Sequence, residues 1–504
     1  MKKVVNGLEL KEKMKEAINL LCGTVKTTLG PSGNNVIIDH SNFTPFITND
    51  GVTIAQNIES DDEVINTILE LTKEASIKTN LVVGDGTTTT LVLLEAIFNL
   101  GIKKIEDGIN PLILKEELTD SLKEILNMID EYKRPARKED LFFVATNSAN
   151  SQEMGKIVSE VYSKVKTRNS IIIKEVNQNK TSVNYIKGYT FDTVLASPYF
   201  LKSGEINLDN SYLMLVNDIL DSLETISDVL NNIIKNNMSL VIIAKDYNSL
   251  VIEQILSLYL ENNIRIILLK NPEFGLREYY FEQDIKAILE NITNGSKQVK
   301  NITINQTKTT IIFNMNETIK SYLKYLKKIK NISDFDKNYF EDKISMFKNG
   351  IALVNIGANT NLERREAKMR YDDAFCALAS CKDGVVPGSG IIYSNISDRL
   401  NNNSIGNEIF KEILLKPLEQ LLHNSTIDEK IYKQIKNDNF NKLYNLKTFI
   451  FEDIKTTKVI DPVMVIKEAL INATSIASML LTTNCLIINE YKNSASKNLD
   501  YNEL

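Results

Sequence analysis

Tryptophan is absent from the 504-residue chain, histidine occurs twice and cysteine four times. Cys22, Cys376, Cys381 and Cys485 are scattered, form no C-x-x-C pair and have only His40 and His423 to join them. That pattern argues against a zinc site and against a disulfide framework, and the four thiols are expected reduced and packed as small apolar groups. No lysine- or arginine-rich block is long enough to track a phosphate backbone and the net charge is −6, so nucleic acid is not an expected partner. No run of eighteen apolar residues occurs, which leaves no candidate membrane span. The opening "MKKVVNGLELKEKMKEAINLL" interrupts its apolar residues with Lys11, Glu12, Lys13, Lys15 and Glu16, so a signal-peptide core is missing too. A cytoplasmic location is the expectation.

What is present is ordinary for a folded protein: 43% hydrophobic and 25% charged residues, in a chain long enough for two or three domains. Leu10, Met14, Ile18, Leu21 and Val25 follow one another at steps of four, four, three and four, the spacing of a buried helix face. Short β-like runs at "NVIIDH" and "FIT" then lead into the turn "NDG", and Ile58 to Tyr132 reads as mostly helical. The middle changes character. "SIIIKEV", "LVIIA", "RIILLK" and "TTIIF" alternate with helical patterns, which predicts an α/β domain over roughly Lys187 to Ile351. Its last stretch, Tyr322 to Phe347, reads as charged helix, split near Asn331. A further helix is expected over Glu363 to Ser380, and the remainder reads as helical apart from polar intervals at Asn401 to Asn407 and Lys436 to Asn445. Helices at both ends around an α/β block suggest that the ends pair into one discontinuous domain.

"VVGDGTTTTLVL" (Val82 to Leu93) offers what a phosphate needs: glycines that let the backbone approach, N–H groups at a helix start and one carboxylate, Asp85, able to hold magnesium. The same residues also make a plain helix cap, so alone they leave both readings open. The stretch is not a Walker A loop, because lysine is absent from Leu81 to Ile102. Two further glycine loops, "TTLGPSGNNV" and "DGVVPGSG", and the acid Asp50 in "ITNDGVTIAQNIE" raise the nucleotide reading.

Nine stretches together resemble the group I, GroEL-like chaperonins: "VKTTLGPSGNNVIID", "ITNDGVTIAQNIE", "GDGTTTT", "GINPLILKE", "TNSANS", "SPYF", "RYDDAFCALAS", "DGVVPGSG" and "SIASMLLTTNC". They stand in the family's order along almost the whole chain. The resemblance implies a multidomain α+β fold. A discontinuous, mainly helical equatorial ATPase domain (1–131 and 384–504) would carry a small intermediate hinge domain (132–186 and 352–383) and an α/β apical domain (187–351). It implies ATP, Mg2+ and K+ as cofactors. Thr28, Leu29, Gly30, Pro31 and Asn49 would line the nucleotide, and Asp85 to Thr89 (Asp85, Gly86, Thr87, Thr88, Thr89) would hold phosphates, with Asp85 on the metal. Gly388, Ser389, Asn445 and Asp461 would meet base and sugar. Asp373 in "RYDDAF" would be the acid that orients the attacking water, arriving as the hinge closes, with Asp50 as the second catalytic acid. Non-native clients need exposed apolar surface, which the resemblance draws from Leu195, Tyr199, Phe200, Leu230, Ile252 and Leu256.

The expected function is ATP-dependent protein folding in a homo-oligomeric, seven-membered ring, single or stacked in two. A GroES-like co-chaperonin would serve as lid and unfolded proteins as clients, with neither nucleic acid nor membrane involved. Departures are visible: Asn49 where a lysine is usual, Ser389 for the middle of three glycines, Leu446 for an alanine, Ser227 for an apolar client-facing residue, and "KNLDYNEL" in place of a Gly-Met-rich tail. These keep a second reading in view, a chaperonin-derived scaffold whose pocket has lost hydrolysis. A third, an unrelated phosphotransferase, is disfavoured by the missing Walker-type lysine.

Overall fold

A computed structural model describes residues 2–40, 43–201, 204–261, 265–290, 292, 295–329 and 334–489. The expected helix break at Asn331 and the tail "KNLDYNEL" lie outside the described residues. The chain divides into two compact units, residues 1–160 with 359–504, and residues 161–358, so both chain ends belong to one unit.

The first unit is built around helices whose starts and stops the sequence specifies locally. Asp62 accepts from the N–H groups of Val64 (2.8 Å) and Ile65 (3.2 Å) and so starts the helix Glu63–Val83, which ends where Gly84 turns left-handed at φ +67°. Asn110 accepts from Leu112 N–H, with Pro111 as first residue of the helix Pro111–Tyr132. Between them, Thr87–Glu106 buries Leu91, Leu93, Leu94, Ile97 and Phe98, each worth about 1.5–3 kcal/mol of apolar burial. The helix Val463–Thr482 packs against all three. By length and hydropathy it could cross a membrane, but most of it is buried here, and a helix apolar on several faces is what a core position demands.

The sequence reading of this unit's second half needs correction. Lys442–Asn445, in the expected polar interval, pairs antiparallel with Ile450–Asp453, and Val385–Pro387, in the expected break, pairs with Ile460–Pro462, so strands stand at 450–453 and 460–462 where helix was expected. The last described strand, Cys485–Asn489, pairs antiparallel with Lys2–Asn6 at the other end of the chain. Strands this short carry too few alternations to register as period two, and their partners are remote in sequence.

Among the described residues the second unit contains four sheets, the smallest a parallel pair of two-residue strands, Ile219–Leu220 with Asp246–Tyr247. One runs in the order Ile266–Lys270, Leu240–Ala244, Tyr212–Leu215, Ser296–Gln298, the first three parallel and the last antiparallel. "LVIIA" is buried at every position, as a parallel strand covered on both faces requires. A four-stranded antiparallel sheet is ordered Gly188–Asp192, Lys308–Ile312, Asn301–Asn305, Glu205–Asp209, and Ile351–Ile356 lies between Ile171–Glu175 and Ser182–Ile186 in a third. Four elements of this unit meet on one carboxylate. Asp284, in the helix Leu276–Ile288, is ion-paired with Lys343 of Asp334–Asn349. The same carboxylate accepts the hydroxyls of Tyr189 (2.6 Å) and of Tyr322 (2.8 Å) from Glu317–Ile329.

Removing one member strands the other charge in a dry core. Lys343→Met is therefore expected to cost about 3–5 kcal/mol of unfolding free energy, and Lys343→Met combined with Asp284→Leu to recover much of it. Urea unfolding of the parent, both single variants and the double variant measures this; a double variant as unstable as the sum of the singles sinks it.

Candidate active site

The four threonines do begin a helix, but not with an ordinary cap. Gly86, at φ +78°, is the residue before Thr87, and among the described residues no side chain caps this end. The first-turn N–H groups are left as a ready anion site. Asp85 turns back onto its neighbour, accepting from Gly86 N–H at 2.6 Å.

Three other segments close on this helix start. Asp50 caps the short helix Gly51–Gln56, accepting from Thr53 N–H at 2.8 Å and from the Thr53 hydroxyl. Gly51 sits so near that a Cβ there would lie 2.6 Å from Thr88 Oγ1 and 2.9 Å from Thr87 Oγ1. The Thr28 and Thr88 hydroxyls stand 3.5 Å apart, and the Asn424 amide donates to the carbonyls of Lys26 (2.9 Å) and Leu29 (3.0 Å). That holds the Thr28–Pro31 loop, whose Pro31 carbonyl accepts from Asn150 at 3.2 Å. The helix Asn361–Ser380 arrives from the other side: a Cβ on Gly84 would fall 2.2 Å from Cys376 Cβ, one turn beyond Asp373.

The electrostatics follow from this crowding. Burial pushes the Asp373 carboxyl well above the usual range, and the charges of Asp50, Asp85 and Asp372 push it further. Burial also raises Asp85, against the pull of the Gly86 N–H, and Asp50 adds to the rise. Asp461 is pushed up to about 7, by burial and then by Asp85. Asp461 itself backs onto Gly388, where a Cβ would lie 2.9 Å from Oδ2. Of the adjacent acids in "RYDDAF", Asp372 is exposed and Asp373 is the half-buried one. The structure thus brings Asp50, Asp85, Asp373 and Asp461 together within a single unit. Asp373 already faces Asp50 and Asp85, where the sequence reading had it arriving only on hinge closure.

These residues fit a polyanion accompanied by a cation. Carboxyls whose ionisation burial and neighbouring charges oppose, as at Asp85 and Asp373, are what a divalent ion would ionise, while the uncapped helix start favours phosphate. Among the described residues no three acidic, histidine or cysteine side chains are arranged as a metal cage.

The residues expected to meet sugar and base differ from this pattern. Ser389 has φ +59°, between Gly388 and Gly390, so the glycine-like backbone persists without the glycine. Asn445 spends its amide inside its own hairpin, donating to Glu452 (2.7 Å) and accepting from Lys447 and Thr448 N–H. Asn49 lies half-buried between the strand Phe43–Thr48 and Asp50.

In the second unit, the expected client-facing residues divide. Tyr199 is 65% exposed, and Leu195, Ile252 and Leu256 are half-buried. Phe200 and Leu230 are corrections: both are buried, Phe200 edge-on against the Tyr259 ring, so neither offers surface in this conformation. The sequence reading missed Phe274 (87% exposed) and Leu276 (66%), which follow the strand Ile266–Lys270 in "NPEFGL". Leu250 and Tyr279 are exposed as well, and an ion pair joins Lys245 to Glu278, the residue before Tyr279. A loop residue has no periodicity to betray its exposure, and only the exposed burial state marks Phe274.

Residues 21–490 match the TCP-1/cpn60 chaperonin family. Two solved structures are similar along nearly their full length. Both are of the chaperonin gp146 from the bacteriophage EL 2 (Pseudomonas aeruginosa) in the presence of ATP-BeFx, in crystal forms II and I. Their TM-scores are 0.74 and 0.72, each at 20% sequence identity and covering 97% of this chain and 99% of that one.

A carboxyl whose pKa rises on folding contributes stability below its unfolded value and loses it as pH climbs through the folded value. Asp461 should therefore destabilise the parent progressively between about pH 4 and about pH 7. Chemical unfolding at several pH values should show Asp461→Asn gaining on the parent across that window; parallel curves would exclude the effect.

Proposed function

The chain belongs to the TCP-1/cpn60 chaperonin family, and from that premise we propose that it is an ATP-driven folding chaperone. The observation that carries the proposal is the convergence of Asp50, Asp85 and Asp373 on the uncapped start of Thr87–Glu106. Bound ATP and Mg2+ would supply the transferable phosphoryl group and the charge that neutralises it; K+ is the further ion proposed. Thr87, Thr88 and Thr89 offer first-turn N–H groups and hydroxyls to phosphate, Asp85 is the metal carboxylate, and the Thr28–Pro31 loop walls the site. Asp373 orients and polarises the attacking water, with Asp50 beside it as second acid. That the gp146 structures were obtained with ATP-BeFx supports nucleotide binding in a chaperonin of this fold.

The client surface we propose is the apolar set Tyr199, Leu250, Phe274 and Leu276, joined by the half-buried Leu195, Ile252 and Leu256. It lies on the unit that does not carry the acids. A GroES-like lid and a cytoplasmic location belong to the same proposal. A ring is supported by two separate two-stranded ribbons. Ile37 (72% exposed) and Ile47 stand on Val36–His40 and Phe43–Thr48, while Val4 and Ile487 (62% exposed) stand on Lys2–Asn6 and Cys485–Asn489. Two unlike apolar edges on one chain suit a head-to-tail contact, which closes into a ring, and seven members is the number we propose. The scaffold reading retains one favouring observation, the engagement of the Asn445 amide within its own hairpin.

Asp373→Ala is expected to lower ATP turnover at least about a hundredfold while nucleotide binding, followed with a fluorescent ATP analogue, stays within a few-fold of the parent. A parent no faster than the variant would hand the case to the scaffold. Ile37→Lys with Ile47→Lys should convert the assembly to monomers in sedimentation velocity; an assembly of unchanged mass would rule out that edge.

A further inference from the structure

The Asn445 side chain has little bonding capacity left for a ligand. Its Oδ1 accepts from the N–H groups of Lys447 (2.9 Å) and Thr448 (3.2 Å), which uses both lone pairs, and its Nδ2 donates to Glu452 Oε1 at 2.7 Å. A carboxylate only accepts and a backbone N–H only donates, so these partners fix which end of the amide is which. The Asn445 carbonyl is engaged as well, by Phe449 N–H at 2.7 Å. From Glu452 a ladder of hydrogen bonds runs to the glycine loop. The buried Thr457 hydroxyl donates to Glu452 Oε2 (2.7 Å) and accepts from Val459 N–H (3.0 Å), and the Val459 carbonyl accepts from Gly388 N–H (2.9 Å). Gly388 in turn backs onto Asp461, a member of the acid cluster. The hairpin is thus tied bond by bond to the proposed nucleotide site.

We infer that this site accepts 6-oxo as well as 6-amino purine nucleoside triphosphates, so that the chain hydrolyses GTP beside ATP. The inference rests on the nucleotide reading of the acid cluster. A site rejects the wrong base when that base leaves one of the site's own polar groups unpaired. Adenine carries a donor at position 6 and an acceptor at N1, whereas guanine carries an acceptor at O6 and a donor at N1. Reading the adenine amino group needs an acceptor, and both lone pairs of Asn445 Oδ1 are taken. The amide hydrogen left over can donate to adenine N1 or to guanine O6, so neither base strands a polar group of Asn445. The triphosphate is common to both nucleotides and meets the same acids. Water attacks the γ-phosphorus, the bond to the β–γ bridging oxygen breaks, and GDP, inorganic phosphate and a proton are released. Glu452 is a positioning residue here, holding the Asn445 amide and, through Thr457 and Val459, the Gly388 loop.

The test is competition of ATP and GTP against a fluorescent ADP analogue on the purified full chain with Mg2+, followed by phosphate release from each. GTP is expected to bind and to turn over within about threefold of ATP, with both turnovers lost in Asp373→Ala. Asn445→Ala should leave the ratio of ATP to GTP affinity within about threefold of the parent's. Glu452→Leu should weaken both nucleotides in parallel by about tenfold, and Glu452→Gln, whose amide still accepts from Asn445, should restore both. A parent that favours ATP by about tenfold or more, or a ratio that moves that far in Asn445→Ala or Glu452→Leu, overturns the inference and leaves the nucleotide reading standing. A parent that turns over ATP alone does the same. A parent that binds neither nucleotide overturns the nucleotide reading, and this inference with it.

Discussion

Repulsion between half-buried carboxylates at the start of one helix is the constraint on which the first unit turns. Asp50, Asp85, Asp373 and Asp461 come from four segments spread over more than 400 positions, and each raises, or is raised by, another of them. Left alone, such a cluster opposes folding, because like charges in a poorly solvated site cannot all ionise. It persists because the surrounding packing is strong. The helices Glu63–Val83, Thr87–Glu106, Pro111–Tyr132 and Val463–Thr482 share one apolar core drawn from both ends of the chain. The chain must be discontinuous for this site to exist, since no single segment holds more than one of the four acids. On the proposed reading, repulsion that a cation and a polyanion would relieve would tie nucleotide occupancy to the stability of the unit.

How far the sequence made this visible depended on the range of the determinant. Asp85 was legible because its signals are local: flanking glycines, threonines after them and an apolar stripe beyond. Asp373 was legible only through the resemblance, since "RYDDAF" offers two equivalent acids until helix phase separates them. Tyr371, Ala374, Phe375 and Leu378 turn inward, which carries Asp373 toward the site and leaves Asp372 in water. That the chain ends share one domain was legible, but the hairpin at Lys442–Asp453 and the strand pairing of Lys2–Asn6 with Cys485–Asn489 were not, because each rests on contacts that short strands do not announce.

The second unit shows the same limit from the opposite side. Tyr199 and Phe200 are neighbours of similar chemistry in a single 3-10 turn, Pro198–Phe200, yet one ring is open and the other is buried against Tyr259. Composition cannot separate them; the direction of the turn does. A surface that offers Phe274 and Leu276 to solvent needs a core that does not yield to the same apolar attraction. The buried carboxylate of Asp284, with Lys343 and two tyrosines fixed around it, gives this core a directional component that apolar packing lacks.

The departures from the family pattern leave the acids in place. Asp85, Gly86, Thr87, Thr88 and Asp373 stand as the resemblance expects, while Asn49 changes beside Asp50, Ser389 and Leu446 change where the resemblance puts base and sugar, and Ser227 changes in the second unit. Neutral hydrogen bonds to a base or ribose contribute about 0.5–1.5 kcal/mol each, whereas charge-assisted contacts to phosphate and metal contribute roughly twice that and lie on the reacting atoms. Substitution is therefore cheapest where the resemblance puts the sugar. Ser389 carries, at φ +59°, a left-handed backbone that glycine would adopt without strain, so the loop beside Asp461 takes a glycine-like path with a side chain on it.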